Sequence, residues 1–95
     1  MDAEGKKTKD IRHYQRKVDN KMRTFGSVDL RTREVKINKS KKKNSRGEIL
    51  DTIVHEKMHI RHPGMYERTI RKQTARQVAK MSRSQKQRHY GLFRT

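Results

Sequence analysis

The chain is 95 residues long, carries 27 Lys+Arg against 10 Asp+Glu for a formal charge of +17, and is only 28% hydrophobic. That length holds one domain with a modest core, and the charge draws the chain to polyanions, nucleic acid first and an acidic protein surface second. Cysteine is absent, which excludes disulfides and thiolate metal sites, so any transition-metal site is built from His and carboxylate.

Residues 1–9 are polar and read as a disordered basic N-terminus, residues 10–83 as a single domain, and residues 84–95 as a basic tail. "MDAEGKKTKD" has no apolar run behind its charges, and nothing approaches 18 apolar residues. A cytoplasmic protein without a membrane partner is therefore expected. From Thr8 to Met22, the residues Ile11, Tyr14, Val18 and Met22 recur at three- and four-residue spacing, which predicts an N-terminal helix with Thr8 as its cap. Gly26 interrupts it. "SVDL" and "EVKIN" then alternate, with Val28/Leu30 and Val35/Ile37 on one face, and "RTR" between them forms a hairpin loop without Gly or Asn. Val35–Asn38 is a candidate sheet edge for an extended peptide, or a cover for a small core.

"KSKKKNSRG" (39–47) is a basic loop whose Lys41, Lys42 and Lys43 are candidate nucleic-acid contacts, together with the basic face of the last helix. Ser45 followed by Glu48 is a capping box, and the helix it starts runs to about Arg61, because His62 precedes Pro63. A further helix extends from about Gly64 to about Ser82. Its inward stripe is Tyr66, Ile70, Thr74, Val78 and Met81, with Glu67 inside the arc; Arg68, Lys72, Arg76, Lys80 and Arg83 face outward. The fold class is α+β: an N-terminal helix, a β-hairpin, a central helix and a C-terminal basic helix.

The chemistry concentrates in "DTIVHEKMHIRHP" (51–63). On a helix His55 and His59, four apart, offer imidazole nitrogens to one ion, and zinc accepts such nitrogens at about 2.0–2.1 Å. Glu56 stands beside the pair, where its carboxylate can take a proton from the attacking water. Ile49, Leu50, Ile53, Val54, Met58 and Ile60 share one broad arc that seats the helix; Lys57 projects into that arc and must snorkel out. A third ligand is needed. Glu67, an acid on the inward face of a basic helix, is the better candidate over His62, which lies too far along the same axis, and over His13 and His89. Tyr66, His62, His89 and Tyr90 are all chemically able to assist an oxyanion, and none is singled out.

"GSVDLRTREVKIN", a basic loop and "EILDTIVHEKMHIRHPGMYERTI" together resemble the minimal HExxH zincin metallopeptidases, the small SprT-like and gluzincin-type proteins of phages and microbes. The resemblance covers roughly residues 25–75. It implies a hairpin before the HExxH helix, Zn²⁺ held by His55, His59 and Glu67, and Glu56 as catalytic acid/base. The chain departs from that pattern at Lys57, where the family has an apolar residue, and has neither a long insert nor a zinc-ribbon tail. The expected function is zinc-dependent hydrolysis of peptide bonds in a protein or peptide substrate, extending by analogy to proteins bound to DNA or RNA. The alternative is a non-catalytic basic nucleic-acid-binding protein in which zinc is structural or absent.

Overall fold

The spacing of Ile11, Tyr14, Val18 and Met22 does not produce a helix. In the computed structural model, which describes residues 10–40 and 46–93, Ile11–His13 form one 3-10 turn capped by Asp10, and Gln15–Val18 form a strand, β1. The three-residue spacing of Ile11 and Tyr14 serves that single turn, which buries both side chains. Continuing as a short helix would close few hydrogen bonds against a costly nucleus, whereas a partner strand satisfies the same backbone groups. That partner is β3 (Glu34–Ile37), parallel to β1 with Gln15 opposite Glu34 and Val18 opposite Ile37. The basic N-terminus 1–9, the Thr8 cap, Lys41, Lys42, Lys43 and the Ser45 cap lie outside the described residues.

The hairpin forms as the alternation predicts. β2 (Gly26–Asp29) runs antiparallel to β3, with Gly26 opposite Ile37 and Val28 opposite Val35. Its loop manages without glycine in two ways. Asp29 Oδ1 accepts from the backbone N–H groups of Arg31 (2.9 Å) and Thr32 (3.1 Å), and Arg33 takes the left-handed conformation, φ 56°. The sheet order is β1–β3–β2, so β3 is the middle strand, with Val35 and Ile37 fully buried. Val35–Asn38 is therefore not an edge, because β1 covers its other side; the edges are β1 and β2. Asn38, also buried, donates from Nδ2 to the Met22 carbonyl at 2.9 Å and so anchors the crossing between β1 and β2.

The central helix, α1 (Arg46–Arg61), packs on two sides. Ile53 and Ile60 join Ile11, Tyr14, Val35, Ile37 and Phe93 beneath the sheet, while Leu50, Val54 and Met58 join Ile70 on the far side. Lys57 sits between the two clusters, half-buried, and its Nζ reaches His89 Nε2 at 3.4 Å. The chain turns at residues 62–66 into α2 (Glu67–Lys80), shorter at both ends than expected. Ile70 and Thr74 are buried, but Tyr66 is 84% exposed. Tyr66 is the extended residue before the helix, so the helical angle that placed it inward does not apply.

Residues 84–91, expected as part of the tail, belong to a helix, α3 (Arg83–Gly91), started by a reciprocal capping box between Ser82 and Gln85. The signal was present in "SRSQ", the same Ser-x-x-Gln pattern that marks helix starts elsewhere. Beyond α3 the chain is bound to the domain. Phe93 is 1% exposed in the core beneath the sheet, Arg16 Nε donates to the Leu92 carbonyl at 3.1 Å, and Lys39 Nζ donates to the Phe93 carbonyl.

Candidate metal centre

With two sides of α1 buried, its third faces a groove. Thr52 and His55 line it, His59 stands one helical turn beyond His55, and α2 brings Glu67 to the groove at its first residue. Pro63 and Gly64 stop one helix and turn the chain, so the residue that opens α2 returns beside the end of α1. The donor atoms converge. His55 Nε2 and His59 Nε2 are 3.1 Å apart, His59 Nε2 is 3.0 Å from Glu67 Oε1, and His55 Nε2 is 3.0 Å from Glu67 Oε2. Two nitrogens and a carboxylate at nearly equal separations fit a single cation. Tetrahedral zinc with bonds of about 2.0–2.1 Å spaces its ligand atoms at about 3.4 Å, within a few tenths of an ångström of this triangle. The three form the one group of metal-capable side chains among the described residues.

His62 is exposed, its backbone N–H bonded to the Met58 carbonyl in the last turn of α1, and it takes no part in the triangle. His89 is engaged elsewhere: its Nδ1 donates to the Gln85 carbonyl at 2.7 Å, which leaves Nε2 to accept from Lys57. His13 is exposed on the 3-10 turn. Of the four residues considered beside His55 and His59, Glu67 is the one whose donor atoms lie next to theirs.

Glu56 occupies the wall between the triangle and the sheet and is 7% exposed. Its Oε2 lies 3.2 Å from where a β-carbon on Gly26 would stand. Burial, and then the Glu67 carboxylate, push its carboxyl up to about 7. His55 is held below the ordinary histidine range by burial, against the opposing pull of Glu67, which favours the neutral imidazole that ligation requires. For Glu67 burial acts upward, but the Arg71 hydrogen bond and the charges of His55, His59 and Arg71 outweigh it, and its carboxyl sits low.

The groove has a volume of about 600 Å³ and is open to solvent. Thr24, Phe25 and Gly26 line it from the sheet side, Asp51, Thr52, His55 and Glu56 from α1, and Glu67, Arg71, Thr74 and Ala75 from α2. Three of the ten acids of a +17 chain therefore meet in one groove beside two histidines. Arg71 and Gly26 were not visible as site residues from the sequence. Arg71 could have been reached from Glu67 by four-residue helical spacing; Gly26 depends on how β2 crosses α1. In comparisons with protein families, curated proteins and solved structures, the chain has no match in any of the three.

Proposed function

We propose that the chain is a zinc-dependent peptidase of the HExxH type. The observation that carries this reading is the meeting of His55, His59 and Glu67, from two helices, as three donors 3.0–3.1 Å apart in an open groove. When bound there, zinc supplies the Lewis acidity that activates water and polarises the scissile carbonyl. Glu56 moves the proton. It takes one from the attacking water as the water oxygen bonds to the carbonyl carbon and the carbonyl π pair shifts onto oxygen. The π pair then returns, the C–N bond breaks, and the proton passes to the leaving amine. One water and one peptide bond become a carboxylic acid and an amine. β2 is an edge strand whose Gly26 lines the groove, so an extended polypeptide can pair with it by main-chain hydrogen bonds, which favours a polypeptide substrate over a small amide.

The test has two parts. Purified protein should carry one zinc and melt at a lower temperature in chelator, because a small core leans on its metal. Glu56→Gln should keep zinc and fold yet lose about 10²–10⁴-fold in peptidase activity on an unfolded or nucleic-acid-bound protein. Equal cleavage by wild type and Glu56→Gln sinks the enzyme reading.

A basic ridge favours a second property, association with nucleic acid. Arg68, Lys72, Arg76 and Lys80 are exposed along α2 at four-residue steps, about 6 Å apart, and no acid pairs with them among the described residues. If all four meet phosphates, the log–log salt dependence of DNA binding should have a slope near about −3.6 from this ridge, and Gln at all four should remove it. No retention on DNA at low salt reduces the ridge to a solubility feature and removes the non-catalytic binding alternative with it.

A further inference from the structure

Beyond the polarisation a bound zinc would supply, peptide hydrolysis through a tetrahedral intermediate gains from a protein donor or cation where negative charge develops on the former carbonyl oxygen. The groove offers few. Thr24 Oγ1 donates to the Gly26 carbonyl (3.2 Å) and Thr52 Oγ1 to the Glu48 carbonyl (2.9 Å). Thr74 Oγ1 is sealed from solvent. Asp51, Glu56 and Glu67 are acids. Tyr66, His62, His89 and Tyr90, chemically able on paper, do not line the groove. That leaves Arg71, the one cation among the lining residues.

Its placement suits the task. Arg71 Nε donates to Glu67 Oε2 at 3.0 Å, and that oxygen is itself 3.0 Å from His55 Nε2, so the guanidinium stands one atom away from the donor triangle. The Nε bond fixes the plane of the fork and leaves the two terminal nitrogens without a partner among the described residues. The side chain is 75% exposed, so ordering it on substrate costs rotamer freedom that the Glu67 bond has already reduced. Glu56 and Arg71 line the same groove from different elements, Glu56 on α1 against β2 and Arg71 on α2.

The geometry points to Arg71 as a catalytic residue that stabilises the oxyanion of the tetrahedral intermediate, in addition to holding Glu67. The inference rests on the peptidase reading. It specifies that the negative charge formed when the carbonyl π pair moves onto oxygen is met by a terminal guanidinium N–H.

The experiment compares Arg71→Ala and Arg71→Lys with wild type in three measurements. Zinc affinity, by competition with a chromophoric chelator, should fall no more than about 10–100-fold, the range for a residue behind a ligand. At saturating zinc, kcat for Arg71→Ala should fall about 10²–10³-fold with KM little changed, and added guanidinium ion should restore part of it. Arg71→Lys should lie between the two. A phosphinic peptide, which mimics the tetrahedral oxyanion, should lose affinity in parallel with kcat, whereas a hydroxamate, a chelator without that geometry, should not; this binding readout needs no turnover. Full recovery of Arg71→Ala by excess zinc alone, or equal weakening of both inhibitors, overturns the proposal and leaves Arg71 as a positioning residue for Glu67. Unchanged kcat in Arg71→Ala overturns it as well. Glu56→Gln separates the two failures: if it is inactive while Arg71→Ala is active, only the Arg71 role falls. If it matches wild type, the peptidase reading falls and takes this role with it.

Discussion

At Gly26, β2 lies close against α1. A β-carbon there would stand 2.6 Å from Thr52 Cγ2 and 3.2 Å from both Glu56 Oε2 and Ile37 Cδ1. Thr52 is short, β-branched and buried on a helix, so it cannot swing aside, and either the strand or the helix has to move. Gly26→Ala is accordingly expected to cost about 1–3 kcal/mol in urea denaturation and to displace Glu56 from the groove wall. An unchanged urea midpoint would show that the approach is looser than these distances. At the same scale, Glu67→Ala should weaken zinc by more than about 10²-fold, while His62→Ala, exposed and outside the triangle, should change it hardly at all. The opposite ranking, read by metal competition, would reassign the third ligand.

Elements are held by devices of a different kind. In the hairpin loop Arg33 sits at φ 56°, a conformation that costs a residue with a β-carbon of the order of 1 kcal/mol and glycine very little. Arg33→Gly should raise stability by about 0.5–1 kcal/mol; a loss would mean that the unfolded-state freedom of glycine outweighs the relief. The contact between α1 and α3 combines the packing of Tyr90 on the Leu50, Val54 and Met58 cluster with a polar pair that is sensitive to pH. His89 lies half-buried, faced by Lys57 from α1 and by Arg88 on its own helix. Burial depresses its pKa, the Gln85 carbonyl opposes that, and Lys57 and Arg88 add to it. Below about pH 6.5 the unfolded histidine takes a proton that the folded one refuses, so this contact loses stability as pH falls, by at most about 1.4 kcal/mol per pH unit for one proton. His55, depressed by burial in the metal-free protein, adds to the same slope. Glu56, pushed up to about 7, contributes the opposite slope over this range, so the test is relative: His89→Gln should melt higher at pH 5 than wild type does when the two are matched at pH 7, and an identical pH dependence would remove His89 from the account.

For the molecule as a whole, the two ends of the described chain close one core. Ile11 and Tyr14 pack in the same cluster as Phe93, and Arg16 and Lys39 bind the carbonyls of Leu92 and Phe93. Phe93→Ala removes a side chain that is 1% exposed, at an expected cost of about 3–5 kcal/mol. Against the 5–15 kcal/mol typical of whole domains, that is a large share, and the variant should melt well below wild type. A shift of only a degree or two would show that the segment after α3 is dispensable.

His55, Glu56 and His59 were legible because helical spacing alone puts the two histidines on one face, and the apolar arc through Ile53, Val54 and Ile60 says which way that face points. The β2–β3 hairpin and the end of α1 were legible for the same reason: alternation and Pro63 act over a few residues. Glu67 emerged as an acid out of place on a basic helix, although its distance to the histidines depends on the turn at residues 62–66. Other features had no local signal strong enough to decide them. Whether Gln15–Val18 coils or extends depends on β3, a strand some twenty residues later, and whether Val35–Asn38 is an edge depends in turn on β1. Phe93 enters the core only because α3 carries it back beneath the sheet. Gly26 and Arg71 belong to the site because separate elements cross there. Contacts within one turn or one strand pair follow from spacing along the chain, whereas contacts between elements depend on which surfaces remain to be covered once the others have packed.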